Sequence, residues 1–97
     1  MNIVFLASTR ADLRWFKRYY SRVFPEGRSN ADRQFKAFLD LLKANPGIGH
    51  PYEAESGVRE YSLPRVPFTV LYRVKSDRIE VLRVYDQRSA FANEQKR

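Results

Sequence analysis

A chain of 97 residues with 43% hydrophobic and 14% aromatic content has the material for one packed core, so a single domain is expected over residues 1–97. Eighteen Lys and Arg against eleven Asp and Glu leave a formal charge of +7, which points to an anionic partner, either nucleic acid or an acidic protein. The lack of cysteine excludes disulfides and thiolate chemistry, and a single histidine leaves no metal-ligand set, so neither a metal nor a cofactor is expected.

The first element is a short apolar run, Ile3 to Leu6, bounded by Ser8 and Thr9. Its length and β-branched content predict a buried strand. No basic region precedes it and Arg10 follows closely, which argues against a signal peptide. No apolar segment is long enough for a membrane span, and a soluble cytoplasmic protein is expected.

Thr9 and Asp12 then stand at the spacing of a capping box, and Leu13, Phe16, Tyr20 and Val23 follow at helical intervals. Pro25 and Gly27 stop this helix. Ser29 and Asp32 repeat the capping spacing ahead of a second helix, whose apolar face is Ala31, Phe35, Phe38, Leu39 and Leu42. Asn45-Pro46-Gly47 ends it. The connection FPEGRS is short, so the two helices should form an antiparallel hairpin. Residues 47–57 read as an irregular loop, and His50 as a loop residue near the end of the second helix.

Three β-rich segments close the chain: Val58 to Leu63, Phe68 to Lys75 and Arg78 to Tyr85. A two-residue turn at Ser76-Asp77 sets a register with Arg73 opposite Glu80, Leu71 opposite Leu82 and Thr69 opposite Val84. Phe68, Val70, Tyr72, Val74, Ile79, Val81, Arg83 and Tyr85 then share the face that meets the helices. The tail after about residue 91 is polar and should fray. The order is strand, helix, helix and a three-stranded antiparallel meander, an α+β domain with the helix hairpin packed on one sheet face.

Two groups of residues stand out chemically. Arginines inside the strands can bind phosphates or stabilise developing negative charge, which makes Arg73, Arg83, Tyr85 and Arg88 a possible catalytic set for RNA cleavage. For Arg73 a cross-strand pair with Glu80 is the favoured reading. Arg83, placed among apolar neighbours, needs a partner, and Arg88 lies beyond the last strand. The first helix carries more aromatic surface than a small sheet requires. Trp15 and Tyr19 widen its stripe and are flanked by Arg14, Lys17, Arg18 and Arg22, a surface suited to an acidic amphipathic helix.

The segments VREYSLPRVPFTVLYRV and IEVLRVYDQRS, in this order and spacing, resemble the RelE/ParE superfamily of toxins from bacterial type II toxin–antitoxin systems, most closely the ParE branch. The resemblance implies a toxin that inhibits DNA gyrase and is neutralised by a cognate acidic, ParD-like antitoxin in a hetero-oligomeric complex. Antitoxin binding would fall on Leu13, Trp15, Phe16, Tyr19 and Tyr20, and target binding on Arg83 and Arg88. RelE-like relatives instead cut ribosome-bound mRNA. Here the position of their central-strand arginine holds Thr69, and a sheet-end position that often holds histidine is Asp86. The catalytic set is therefore incomplete, and the chain leans away from enzyme activity. The alternatives are a RelE-like mRNA endonuclease and, more weakly, a basic nucleic-acid-binding module.

Overall fold

The computed structural model describes residues 1–86. A five-stranded sheet of order β1-β5-β4-β3-β2 is built from β1 (Asn2–Phe5), β2 (His50–Pro51), β3 (Arg59–Ser62), β4 (Phe68–Val74) and β5 (Arg78–Asp86). The meander β3-β4-β5 is antiparallel, whereas β1 runs parallel to β5 and pairs Ile3 with Ile79 and Phe5 with Val81. A parallel pair needs a crossover, and the helices α1 (Arg10–Arg18) and α2 (Arg28–Ala44) lie in that connection. β2 corrects the expected loop at 47–57: His50 pairs with Glu60 and Pro51 with Arg59, with the proline tolerated because the strand is an edge.

Both helices cover one sheet face. Tyr20, Ala31, Phe38 and Leu42 meet Phe68, Val70, Tyr72, Ile79, Val81 and Val84 in the main core. Leu42, Val70, Ile79 and Val81 are wholly buried, each stabilising by roughly 1.5–3 kcal/mol. The expected stripe of α2 holds. That of α1 holds at Phe16 and Tyr20, but Leu13 is 40% and Val23 66% exposed. The helix widens into a π turn over Tyr19–Val23, with the Phe24 amide donating to the Tyr19 carbonyl at 2.9 Å, and the extra residue per turn carries Val23 away from the core.

Neither capping box forms. Thr9 sits in a 3₁₀ turn (Ala7–Thr9) and its hydroxyl donates back to the Leu6 carbonyl at 2.7 Å. A second 3₁₀ turn, Pro25–Gly27, leads directly into α2 from Gly27, so Ser29 is already inside the helix and Asp32 pairs with Arg28 instead.

The register of β4 and β5 begins as expected, with Arg73 opposite Glu80 and Tyr72 opposite Val81. It then breaks. Leu71 faces Arg83, Val70 faces Val84 and Thr69 faces Tyr85, so Leu82 is one extra residue in β5. This bulge corrects the pairing of Leu71 with Leu82 and of Thr69 with Val84. It also exchanges the faces beyond it: Val84 turns to the helices, while Arg83 and Tyr85 turn away. Tyr85 packs there with Val58 and Leu71 in a second, smaller cluster flanked by Tyr52 and Leu82.

Candidate partner-binding site

The helix hairpin leaves a groove on its outer side. Leu13, Phe16 and Tyr20 from α1 and its π turn form one wall, Ala31 and Phe35 from α2 the other, and Phe68 and Val84 of the sheet the floor. Its volume is about 250 Å³, and Lys17, Arg28 and Asp32 stand at its rim. The walls are fixed by ring packing. Phe16 meets Phe68 edge-on at 4.5 Å, and Phe16 and Tyr20 lie nearly parallel at 6.4 Å. Tyr20 is buried, but Leu13 remains 40% exposed, so an apolar wall reaches solvent. On the flank of α1, Trp15 and Tyr19 stack at 5.0 Å with 6° between their planes, and both are half-buried. Leu13, Phe16 and Tyr20 thus belong to the groove, while Trp15 and Tyr19 form a separate stacked pair beside it.

Arg73, Arg78 and Arg83 of β4 and β5 are committed to carboxylates, whereas Arg59 of β3 donates to the Gly49 carbonyl at 2.7 Å. Arg83 donates from Nε and Nη2 to the two oxygens of Asp12 at 2.8 and 2.7 Å, a two-bond fork that fixes the guanidinium plane. Asp12 also accepts the Val84 amide at 2.9 Å. Just before this point β1 has left the sheet, with the Leu6 amide on the Val81 carbonyl and the Ser8 hydroxyl on the Leu82 carbonyl. The Asp12 carboxylate therefore satisfies strand backbone where the parallel ladder ends. Arg73 Nε donates to Glu80 at 2.6 Å, as the sequence suggested, and Arg78 Nε donates to the other Glu80 oxygen at 2.9 Å. These hydrogen bonds, that from Arg73 first, hold the Glu80 carboxyl below its ordinary pKa against the opposing effect of burial.

Among the alternative catalytic residues, the bulge brings Arg83 and Tyr85 to the face away from the helices, which already carries Arg73. Tyr85 is buried, and desolvation, helped by the nearby Glu60 charge, pushes its phenol above the ordinary value. Thr69 is buried and shares a 3.1 Å hydrogen bond with Ser62, and Asp86 is fully buried. Arg88 lies outside the described residues. His50 is exposed on the edge strand. Among the described residues no cluster of His, Cys, Asp or Glu can hold a metal ion, and no helix is long and apolar enough to cross a membrane.

Asp12 is the residue that sequence reasoning assigned wrongly, since its spacing from Thr9 suggested a cap. A signal was present. Asp12, Phe16 and Tyr20 recur at intervals of four on the inward stripe, and an acid on a buried stripe requires a cation, for which Arg83 was the unplaced candidate.

The comparisons with known proteins agree with this architecture. A model of the family described as ParE toxin of type II toxin-antitoxin system, parDE, matches residues 3–91. Among solved structures, one titled as the chromosomal ParDE toxin–antitoxin system from P. aeruginosa superposes with a TM-score of 0.70 at 31% identity, covering 89% of this chain and 95% of that one. No curated protein matches. The matching family and the superposed structure place this small sheet with its helix hairpin in the class of toxins from toxin–antitoxin systems. The chain belongs to the ParE toxin family of type II toxin–antitoxin systems.

Proposed function

We propose that this ParE-type toxin acts by binding, inhibits DNA gyrase, and is neutralised by an acidic, ParD-like antitoxin whose amphipathic helix enters the groove between α1 and α2. The observation that carries the reading is the groove itself: apolar walls of Leu13, Phe16, Tyr20 and Phe35, with Lys17 and Arg28 at the rim. A helix laid there buries anchors at i, i+3 and i+4 intervals while its acidic flanks meet the rim cations. Trp15 and Tyr19 extend the contact along α1 as a pre-stacked platform, whose rigidity lowers the entropy lost on binding.

Arg83 and Arg88 are the proposed target contacts. For Arg83 the pairing matters, because any anionic group of the target must compete with the Asp12 fork. The ribonuclease alternative is not favoured by the geometry. Arg73 is held by Glu80 and Arg83 by Asp12, Tyr85 is buried in its neutral form, and Thr69 offers no charge. A supercoiling assay with purified chain and purified gyrase tests the reading directly. Loss of supercoiling, reversed by the product of the neighbouring reading frame, is expected. Full gyrase activity together with ribosome-dependent mRNA cleavage would replace it with the endonuclease.

A further inference from the structure

Helix α1 and its π turn carry Arg10, Arg14, Lys17, Arg18 and Arg22, all of them exposed. Among the described residues none of the five meets a carboxylate. α2 is built differently, since Arg28 pairs with Asp32 and Lys36 with Asp40, each one turn along. In α1 the residue one turn from an arginine is another arginine, so Arg10, Arg14, Arg18 and Arg22 repel in series. Arg10 also stands at the first helical position, where the helix dipole disfavours a cation. The one acid of α1, Asp12, is buried and spent on Arg83. Among the described residues no carboxylate offsets this repulsion, which leaves the ridge suited to an anionic partner.

The geometry narrows the partner. At 100° per residue, Arg14 and Arg18 project nearly opposite to Phe16, so the ridge turns away from the groove proposed for the antitoxin. The large apolar side chains nearest the ridge, Trp15 and Tyr19, are stacked on each other at 5.0 Å and form its flank rather than its crest. From Arg10 to Arg22 the helix rises roughly 18 Å. One strand of a DNA duplex presents about five phosphates over that length. A convex helix about 10–12 Å across matches the major groove of B-form DNA, about 12 Å wide, whereas the deep, narrow major groove of A-form RNA excludes it.

We propose that the outer ridge of α1 binds duplex DNA through its phosphate backbone, independently of sequence, on a surface separate from the groove between the helices. This site stands apart from the gyrase reading and is measured without gyrase or antitoxin. The test is fluorescence anisotropy of the purified full chain with a labelled 20-base-pair DNA duplex across a salt series. Four phosphate contacts, one for each ridge arginine, give a slope of log K against log salt near −3.6, a loss of about 150-fold between 50 and 200 mM.

Arg14→Gln with Arg18→Gln removes two contacts and should bring the slope to about −1.8. The charge-matched pair Arg33→Gln with Lys43→Gln, on α2, should leave it unchanged, and Arg14→Lys with Arg18→Lys should retain it. Circular dichroism melts establish that each variant is folded. Equal weakening by the α2 pair would reduce the effect to general basicity and overturn the proposal. So would an absence of binding at 50 mM salt, equal affinity for an RNA duplex, or poly-glutamate binding as tightly as DNA, which would give the ridge to an acidic protein.

Discussion

Asp12 and Arg83, separated by 71 positions in the chain, form a two-bond ion pair that joins the first turn of α1 to the bulged end of β5. Both partners are largely withdrawn from water, their side chains 6% and 26% exposed. The pair also supports the bulge, because the same carboxylate holds the Val84 amide. Removing one member of such a pair strands the other charge in a poor solvent.

Asp12→Ala should therefore destabilise the domain by about 3 kcal/mol, read as a shift in the denaturant midpoint. Arg83→Met should cost less, since the remaining carboxylate keeps its amide donor. The double variant should recover part of the loss, giving a coupling of at least about 1.5 kcal/mol in a double-mutant cycle. Additive losses would show that the two groups do not act as a pair.

Glu80 carries an acid-sensitive share of stability. Its carboxyl is held below the ordinary value in the fold by hydrogen bonds from Arg73 and Arg78 and rises to the ordinary value on unfolding. The folded state therefore releases the proton more readily, and the stabilisation is present above the unfolded pKa. It is lost as pH falls through the depressed folded value. Chemical denaturation from pH 6 down to pH 2 should show a decline in stability that flattens in Glu80→Gln. An unchanged acid limb in that variant would assign the decline to other carboxylates.

How much of this was legible in the sequence follows from the range of each signal. The apolar stripe of α2 and the turn at Ser76-Asp77 are local, and both are found where periodicity and turn chemistry put them. The Arg73–Glu80 pair follows from that turn by counting outward along the hairpin. The count fails two residues further because a bulge has no composition of its own. Leu82 is as good a strand residue as Leu71, and the extra residue is placed by Asp12, which arrives from far away in the chain. β2 was invisible for a similar reason: a two-residue edge strand containing proline gains its identity from β3 alone. The groove could be anticipated from the aromatic surplus of α1. Its separation from the Trp15–Tyr19 stack could not, since that depends on the rotation of the helix against the sheet.

Tyr72 is a second fixed point, on the side of the sheet that meets α2. Its buried hydroxyl donates to the Pro46 carbonyl at 2.7 Å and accepts the Gly49 amide at 2.8 Å, tying the chain after α2 to β4. Tyr72→Phe leaves that donor and acceptor unmatched and should cost about 1–3 kcal/mol. Desolvation raises the phenol pKa in the fold, so its contribution is complete below the unfolded value and is lost as pH climbs through the raised folded value. The wild-type chain should weaken in alkali above the usual tyrosine range. Tyr72→Phe should show a smaller alkaline decline, measured by denaturant titrations from pH 8 to 11, and an identical decline would remove Tyr72 as its source.

Gly49 completes that contact from the backbone side. A Cβ at this position would lie 2.9 Å from both the Glu60 carbonyl oxygen and the Tyr72 hydroxyl. The first of these is backbone within the β2–β3 pairing and has little freedom to retreat. Gly49→Ala should destabilise by roughly 1–3 kcal/mol through overpacking. Combined with Tyr72→Phe, which removes one of the two clashing atoms, the cost should be less than additive. Strict additivity in thermal melts would mean that the Glu60 carbonyl alone sets the penalty.

Under the proposed antitoxin site, Leu13 separates folding from recognition. It is 40% exposed at the mouth of the groove, whereas Phe16 and Tyr20 behind it are packed against Phe68. Leu13→Glu should therefore cost about 1–2 kcal/mol of stability, less than a core substitution, because the side chain is only partly withdrawn from water. In the bound state the new carboxylate would face the acidic flanks of the antitoxin helix and displace an apolar anchor. A loss of about 2 kcal/mol, roughly 30-fold in affinity, is expected at such a position. Isothermal titration with the purified product of the neighbouring reading frame measures it, with Leu41→Glu on the exposed side of α2 as the control. Equal affinities for the two variants would move the antitoxin off the groove and onto another face of the toxin.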